Sequence, residues 1–352
     1  MRDHRRLGVV TGVEPAAAAT AEVRVAEPAD VAAAKRLAAS WARQQGFPQL
    51  REHQVELVVT EMATNLVKYA IEGRLLVSVG SHRGEPALDL LSLDSGPGMG
   101  DAESYLADGS STGGSLGGGL GAMARMSDAF AIHSERPGGT VVMARFTREA
   151  SSPGGRAAST IGAVCRPHPS ETVCGDAWAV EEDDGRLMVL VADGLGHGPG
   201  AAAASSLAVE VFREQSHLAA EEVVTAIHRE LRTTRGAAVS VAEVLPDSRV
   251  RFCGLGNVSG VLSTGIGRQE MVGDHGTAGH QARKIRSFQY AWEPGALVIL
   301  HSDGLSGRWD LCDHPALSCR DPLLVAGVLY RDHRRRSDDA TVVVVAPRGE
   351  AS

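Results

Sequence analysis

The chain has 352 residues, 43% hydrophobic and 22% charged, with a formal net charge of −8. That length suits about two domains of ~150 residues, and the composition is that of a globular protein able to bury proper cores. The acidic balance excludes nucleic acid as the main ligand, and no apolar stretch approaches the ~20 residues of a membrane span.

The first residues, MRDHRRLGVV, lack the apolar centre of a signal peptide. The five cysteines show no CxxC spacing, so a reducing, cytoplasmic setting is expected, with thiols as small core residues. Residues 1–21, which include PAAAAT, are expected to be flexible.

ADVAAAKRLAASWARQQG predicts a helix with Asp30 as N-cap and Gly46 as its stop. A second helix is predicted over about 50–71 and strands near 75–81 and 87–93. DSGPGMG, a short helix and a glycine-dense loop come next, then a helix near 119–128 and a hairpin around RPGG. TREASSPGGRAAS is small and polar, and its part 148–159 reads as a linker. Beyond it, strands are predicted near 173–181 and 186–192, joined at EDDG, and helices near 199–214 and 221–233. Strands resume at 237–245, 249–255, 259–263, 286–291 and 296–301, and ATVVVVA forms the last one. Hairpin spacings with helices inserted in blocks favour α+β.

Glu61 and Asn65 are four apart, so they share a helix face, which Lys68 continues. Alone, such a pair is a solvated face. Two glycine-rich motifs further along the chain give it more weight. Asp94 ends an apolar strand in DSGPGMG, beside Gly96 and Gly98, where backbone can approach a ligand closely. STGGSLGGGLG then feeds into a helix, whose N-terminal amides suit phosphate.

In these residues, over roughly 22–147, the chain resembles the GHKL ATPases. It is most similar to the small serine kinases of bacterial partner switching, the RsbT and RsbW type. The resemblance implies a Bergerat-type domain, a mixed sheet under helices, that binds ATP with Mg²⁺. Asp94 would meet the adenine amino group, Asn65 the magnesium, and Glu61 would be the general base toward a substrate serine. Thr112, Gly113, Gly114, Gly117, Gly119, Leu120 and Gly121 would line the phosphate lid, where Gly118 stands in place of a commonly larger residue.

In the second half, Asp176 (VCGDAW), Asp193 (VADGLGHG), Asp303 (LHSDG) and the Asp338-Asp339 pair each abut an apolar strand. One such Asp is a turn residue. Four together repel unless a cation sits among them, and hard oxygen ligands suit Mg²⁺ or Mn²⁺. These motifs resemble, in order over 160–347, the type 2C Ser/Thr phosphatases of the SpoIIE and RsbX branch. The resemblance implies a β-sandwich flanked by helices, with two Mn²⁺ or Mg²⁺ at one end. Asp193 would bridge both ions, Gly194 would ligate through its carbonyl, Asp176 would help the first, and Asp303 and Asp338 would hold the second. It implies hydrolysis of phosphoserine or phosphothreonine.

His197 is weighed as a general acid against a structural role bonding to loop backbone, and the latter is favoured. Cys174 and Cys253 are read as core thiols and Asn257 as a turn-shaping residue. Arg166, which precedes a proline near the start of this half, is a candidate to meet a phosphate, and RDHRRRS is read as a solvated turn before the last strand. Residues 348–352 form a tail.

The resulting expectation is a bifunctional switch enzyme acting on STAS-domain anti-sigma antagonists or stressosome proteins. A phosphatase whose first domain senses ATP is one alternative. A module that sequesters a sigma factor or STAS protein is another, and the resemblance also allows a homodimer.

Overall fold

The computed structural model describes residues 20–82, 85–100, 117–149, 160–264, 266–314 and 316–347. It is α+β throughout. The first sheet has the order β1-β2-β3-β5-β4, built from β1 (Thr20–Arg24), β2 (Arg74–His82), β3 (Glu85–Asp94), β4 (Ala129–Glu135) and β5 (Gly139–Thr147). One face is covered by α1 (Pro28–Gln44), α2 (Gln49–Tyr69) and α3 (Gly117–Met126). Val55, Val58, Val59, Met62 and Leu66 of α2 recur at helical spacing and are buried against Leu75, Val77, Leu88 and Leu90 of the sheet.

Two details differ from expectation. The cap of α1 is Glu27, with Pro28 at the first helical position. Asp30 lies within the first turn and accepts from the amides of Ala26 and Glu27 at 2.8 and 3.0 Å. Every described pairing in the sheet is antiparallel, where a mixed sheet is expected. The α1–α2 hairpin returns the chain to the end at which β1 finished, so β2 runs back beside it. The single α3 connection does make β4 parallel to β3, but β5 is inserted between them.

The second half is a sandwich of two five-stranded sheets. One holds β7 (Asp176–Asp183), β8 (Arg186–Gly194), β9 (Ala237–Leu245), β10 (Arg249–Leu255) and β15 (Ser287–Ala291). The other holds β6 (Ile161–Arg166), β11 (Ser259–Thr264), β12 (Gly267–Met271), β16 (Leu297–His301) and β17 (Ala340–Val345). Val189, Val191, Phe252, Val298, Leu300 and Val343 fill the space between them. Two short strands, β13 (Gly276–Thr277) and β14 (Gln281–Ala282), form a separate ribbon. Helices α4 (Pro199–Gln215) and α5 (Ala220–Glu230) cover the outer face of the β7–β10 sheet.

The opposite face carries one helix, α6 (Pro322–His333), which the sequence patterning does not predict. Residues Pro322–Tyr330 are all buried. One side of α6 packs on β6 and β17, the other on β3, β4 and β5. Leu91, Leu93, Val141 and Met143 of the first sheet thus join Val164, Val342 and α6 in one core. RDHRRRS accordingly begins as the last turn of α6, and only its second half, residues 335–337, is an exposed stretch leading through a turn towards the last strand. Arg331 donates to the Asp94 carbonyl at 3.4 Å, and Arg336 donates to both carboxylate oxygens of Glu72 at 2.8 Å.

Candidate active sites

The first site lies between α2, the end of β3 and α3. A cavity of about 240 Å³ is lined by Asn65, Tyr69, Asp94, Gly98, Leu120 and Thr140 among others. Asn65 reaches it because it shares the sheet-facing stripe of α2 with Met62 and Leu66. Asp94 reaches it as the last residue of β3, opposite Thr140 of β5. Burial raises the Asp94 carboxyl above the usual range, while the Gly96 amide, donating to Oδ1 at 2.7 Å, works in the opposite direction. Gly98 has φ +71°, and a Cβ there would lie 1.9 Å from the Glu135 carbonyl, so this turn requires glycine.

Gly117, Gly119 and Gly121 fall in the first turns of α3. A Cβ on Gly119 would come within 2.9 Å of Glu61 Oε2, which sets the Glu61 carboxylate against the helix start. Lys68 is exposed and does not border the cavity. Thr112, Gly113 and Gly114 lie outside the described residues. Thr140 and Arg136 border the cavity without having been found from sequence; they come from the distant hairpin, and no local signal marks them.

The second site sits at one end of the sandwich. Asp176 and Asp193 are direct cross-strand partners at the end of the β7–β8 pair. Burial is the main cause that pushes Asp193 up to about 9, followed by repulsion from Asp176, Asp303, Asp338 and Asp339. Asp176 is pushed up to about 7, again chiefly by burial. Its Oδ2 accepts from Ser302 at 2.7 Å, and Ser302 Oγ in turn accepts the Thr341 amide at 3.0 Å. Its Oδ1 is buried with no partner, as is Oδ2 of Asp339. Asp303 Oδ2 accepts from Asn257 at 2.7 Å. Asp338 is raised by burial and by Asp303, and its Oδ1 accepts the Asp339 amide at 3.0 Å.

The close approach is enforced by glycine. A Cβ on Gly194 would lie 2.1 Å from the Ala201 carbonyl in the first turn of α4, and one on Gly175 would lie 2.6 Å from Asp339 Oδ2. Asp176 and Asp339 thus each leave one buried carboxylate oxygen without a partner in the neighbourhood of Asp193, and hard oxygen atoms suit a divalent cation.

The four aspartates expected as ligands, Asp176, Asp193, Asp303 and Asp338, are therefore neighbours, with Asp339 beside them. Asp339 splits its role: Oδ1 accepts the His168 amide at 2.8 Å and ties down the loop before β7. Ser302 and Asn257, which orient Asp176 and Asp303, carry no ligand-type signal in the sequence. His197 bonds Glu171 at 2.8 Å and stacks on His168 at 4.6 Å between ring centroids. Its contact is thus to a carboxylate and a second imidazole rather than to loop backbone. Arg166 donates to the Thr20 carbonyl at 2.5 Å and pairs with Glu22 at 3.4 Å, and it lines a surface pocket together with Asp338. Cys253 is a buried thiol and Cys174 a half-buried one, 3.6 Å from the sulfur of Cys165, and all five cysteines are free.

Comparison with known proteins shows the same division. Residues 25–146 match the histidine kinase-like ATPase domain family, and residues 183–348 match the family of stage II sporulation protein E (SpoIIE). The chain is 32% identical over 122 residues to serine/threonine-protein kinase RsbT of Bacillus subtilis (strain 168), covering 35% of this chain and 92% of RsbT. It is 26% identical over 138 residues to phosphoserine phosphatase RsbX of the same organism, covering 39% of this chain and 69% of RsbX. A crystal structure of RsbX in complex with magnesium aligns with a TM-score of 0.47 at 22% identity, over 52% of this chain and 92% of that one. The chain belongs to the RsbT family through its first half, and joins that kinase-like ATPase domain to a SpoIIE/RsbX-type, metal-dependent Ser/Thr phosphatase domain.

Proposed function

We propose that the chain is a bifunctional partner-switching regulator. Its first domain phosphorylates a serine or threonine of a STAS-domain or stressosome protein, and its second removes phosphate from the same or a paired protein. The observation that carries this reading is the coexistence of two built sites. One is a cavity holding Asn65 and Asp94 beside a glycine-rich helix start. The other is a convergence of five carboxylates with orphaned oxygens.

In the second site, Asp176, Asp193, Asp303, Asp338 and the Gly194 carbonyl are the residues that would hold two Mg²⁺ or Mn²⁺. Bound there, the ions would supply Lewis-acid polarisation of the phosphoryl group and a lowered pKa for water. The chain's own contribution is orientation. Ser302 fixes Asp176, Asn257 fixes Asp303, and the Asp339 amide fixes Asp338. In the first site, Asp94 would accept from the exocyclic amine of adenine, and Asn65 would offer an oxygen to the Mg²⁺ of ATP. The N-terminal amides of α3 receive phosphate. Glu61, against that helix start, takes the proton of the substrate hydroxyl. Such transfer depends chiefly on positioning and charge neutralisation.

One observation favours a second reading, a phosphatase with a nucleotide-sensing first domain. The helix leading to Asp338 touches the carbonyl of Asp94 through Arg331. The two readings separate with γ-labelled ATP, Mg²⁺, Mn²⁺ and a STAS-domain protein encoded nearby. Label that is transient with the wild type and persistent with Asp193→Asn is expected for opposed activities, and Glu61→Gln then abolishes labelling while retaining ATP. No label with either protein, with pre-phosphorylated STAS protein still stripped by the wild type, leaves the sensing phosphatase. A sigma factor as a further partner rests on the same resemblance. A stable complex in ADP, read by pull-down, tests it.

A further inference from the structure

At the junction of the two domains, outside the residues assigned to either site, His133, Glu135 and His314 converge. His133 and Glu135 lie on the same face of β4, two residues apart. His314 comes directly after the 3₁₀ turn Leu311–Asp313 of the second half. One ligand atom from each residue falls within 4.8 Å of the others. Glu135 Oε1 is 2.8 Å from His314 Nδ1 and 3.5 Å from His133 Nε2. Tetrahedral zinc, with bonds of ~2.0–2.1 Å to imidazole and ~2.0–2.2 Å to carboxylate, separates its ligand atoms by about 3.4 Å. The separations from Glu135 are already close to that.

The second observation concerns His133 itself. Its side chain is 8% exposed, and its Nε2 is buried with no hydrogen-bond partner. A buried imidazole nitrogen without a partner is costly, and it is aimed at the Glu135 carboxylate. The nearby Arg331 guanidinium does not discharge Glu135, because it is held by Asp332 at 2.7 and 2.8 Å. Glu135 and His314 keep 35% and 22% of their side-chain surface, so an ion can enter from solvent and water can complete the coordination.

We propose that His133, Glu135 and His314 form a zinc site that staples the β4–β5 hairpin to the second domain. Two imidazoles and one carboxylate suit zinc, whereas the all-oxygen set at Asp193 suits magnesium or manganese. The two sites therefore sort their ions by ligand chemistry. The staple also bears on the nucleotide cavity, since Arg136 and Thr140 of the same hairpin border it.

The test uses the untagged full chain, stripped with chelator and held in millimolar Mg²⁺ to occupy the carboxylate cluster. Zn²⁺ is then titrated against a chromophoric chelator, for wild type, His314→Gln and Asp193→Asn, with folding monitored by circular dichroism. One zinc per chain is expected in the wild type and in Asp193→Asn, with affinity at least about tenfold lower in folded His314→Gln. Co²⁺ should give an intense tetrahedral visible spectrum that His314→Gln loses. Zinc retained undiminished by His314→Gln, zinc lost only in Asp193→Asn, or no zinc bound above the chelator's competition would each overturn the proposal.

Discussion

Asp176 and Asp193 face each other across β7 and β8, where burial raises both carboxyls, to about 7 and about 9. Unfolded aspartates titrate near 3.9. Between that value and the raised ones, the folded state holds more protons than the unfolded state. The metal-free protein therefore loses stability as pH rises through roughly 4 to 9. Thermal unfolding in chelator should show the midpoint falling from pH 5 to pH 8, with Mg²⁺ or Mn²⁺ restoring it and Asp193→Asn flattening the slope. A midpoint that rises over this range would contradict the assignment. Ser302 is the neighbour that makes the pair tolerable. Ser302→Ala removes the donor to Asp176 and the acceptor of the Thr341 amide, and should cost about 1–3 kcal/mol in denaturant unfolding. At this scale the sequence is informative about Asp193 and Asp303, because an apolar strand that stops on Asp-Gly is locally odd. It is silent about Ser302 and Asn257, whose importance comes only from what lies across the fold.

Among the elements, α6 organises the molecule. PLLVAGVLY is apolar on every side, so it carries no amphipathic period, and Gly327 interrupts it. A helix buried on both faces has this pattern, but nothing local tells it from a strand or a loop. Gly162 of β6 lets it dock: a Cβ there would be 2.0 Å from the Leu323 amide nitrogen. Gly327 faces the other way, and its Cβ would be 3.2 Å from Leu91 and Val141 of the first sheet. Gly327→Val should therefore overpack the junction and cost about 1–3 kcal/mol. Urea unfolding of the variant should split into two transitions. An unchanged single transition would mean that the first sheet gives way easily. The strands of both halves, by contrast, were legible as apolar runs bounded by turn residues such as EDDG and RPGG. The exceptions are β1, β6 and β12, five- or six-residue edge strands that take their place from neighbours, and the two-residue strands of the β13–β14 ribbon.

Across the whole molecule, charge as well as apolar surface joins the halves. Arg145 of β5 is 2% exposed and binds Asp89 at 2.6 and 3.2 Å and Asp321, the cap of α6, at 3.4 Å. Arg145→Met keeps the volume but leaves two buried carboxylates unpaired, which should destabilise by about 3–5 kcal/mol. The loss should appear in probes of both domains, and a loss confined to the first would place Asp321 outside the network. Among the described residues no helix is long and apolar enough to cross a membrane.

By itself the sequence determined the chemistry of this protein. The kinds of ligand atom, their order and their glycine neighbours are local properties, and local properties survive in one dimension. It also determined the α+β class, because strand and helix periodicities differ. Only the tertiary structure decided that four other aspartates gather around Asp193 and that His133 meets His314. It alone decided that one helix serves as the floor of both halves. Those facts depend on which distant surfaces exclude water together, and that is settled when the chain packs.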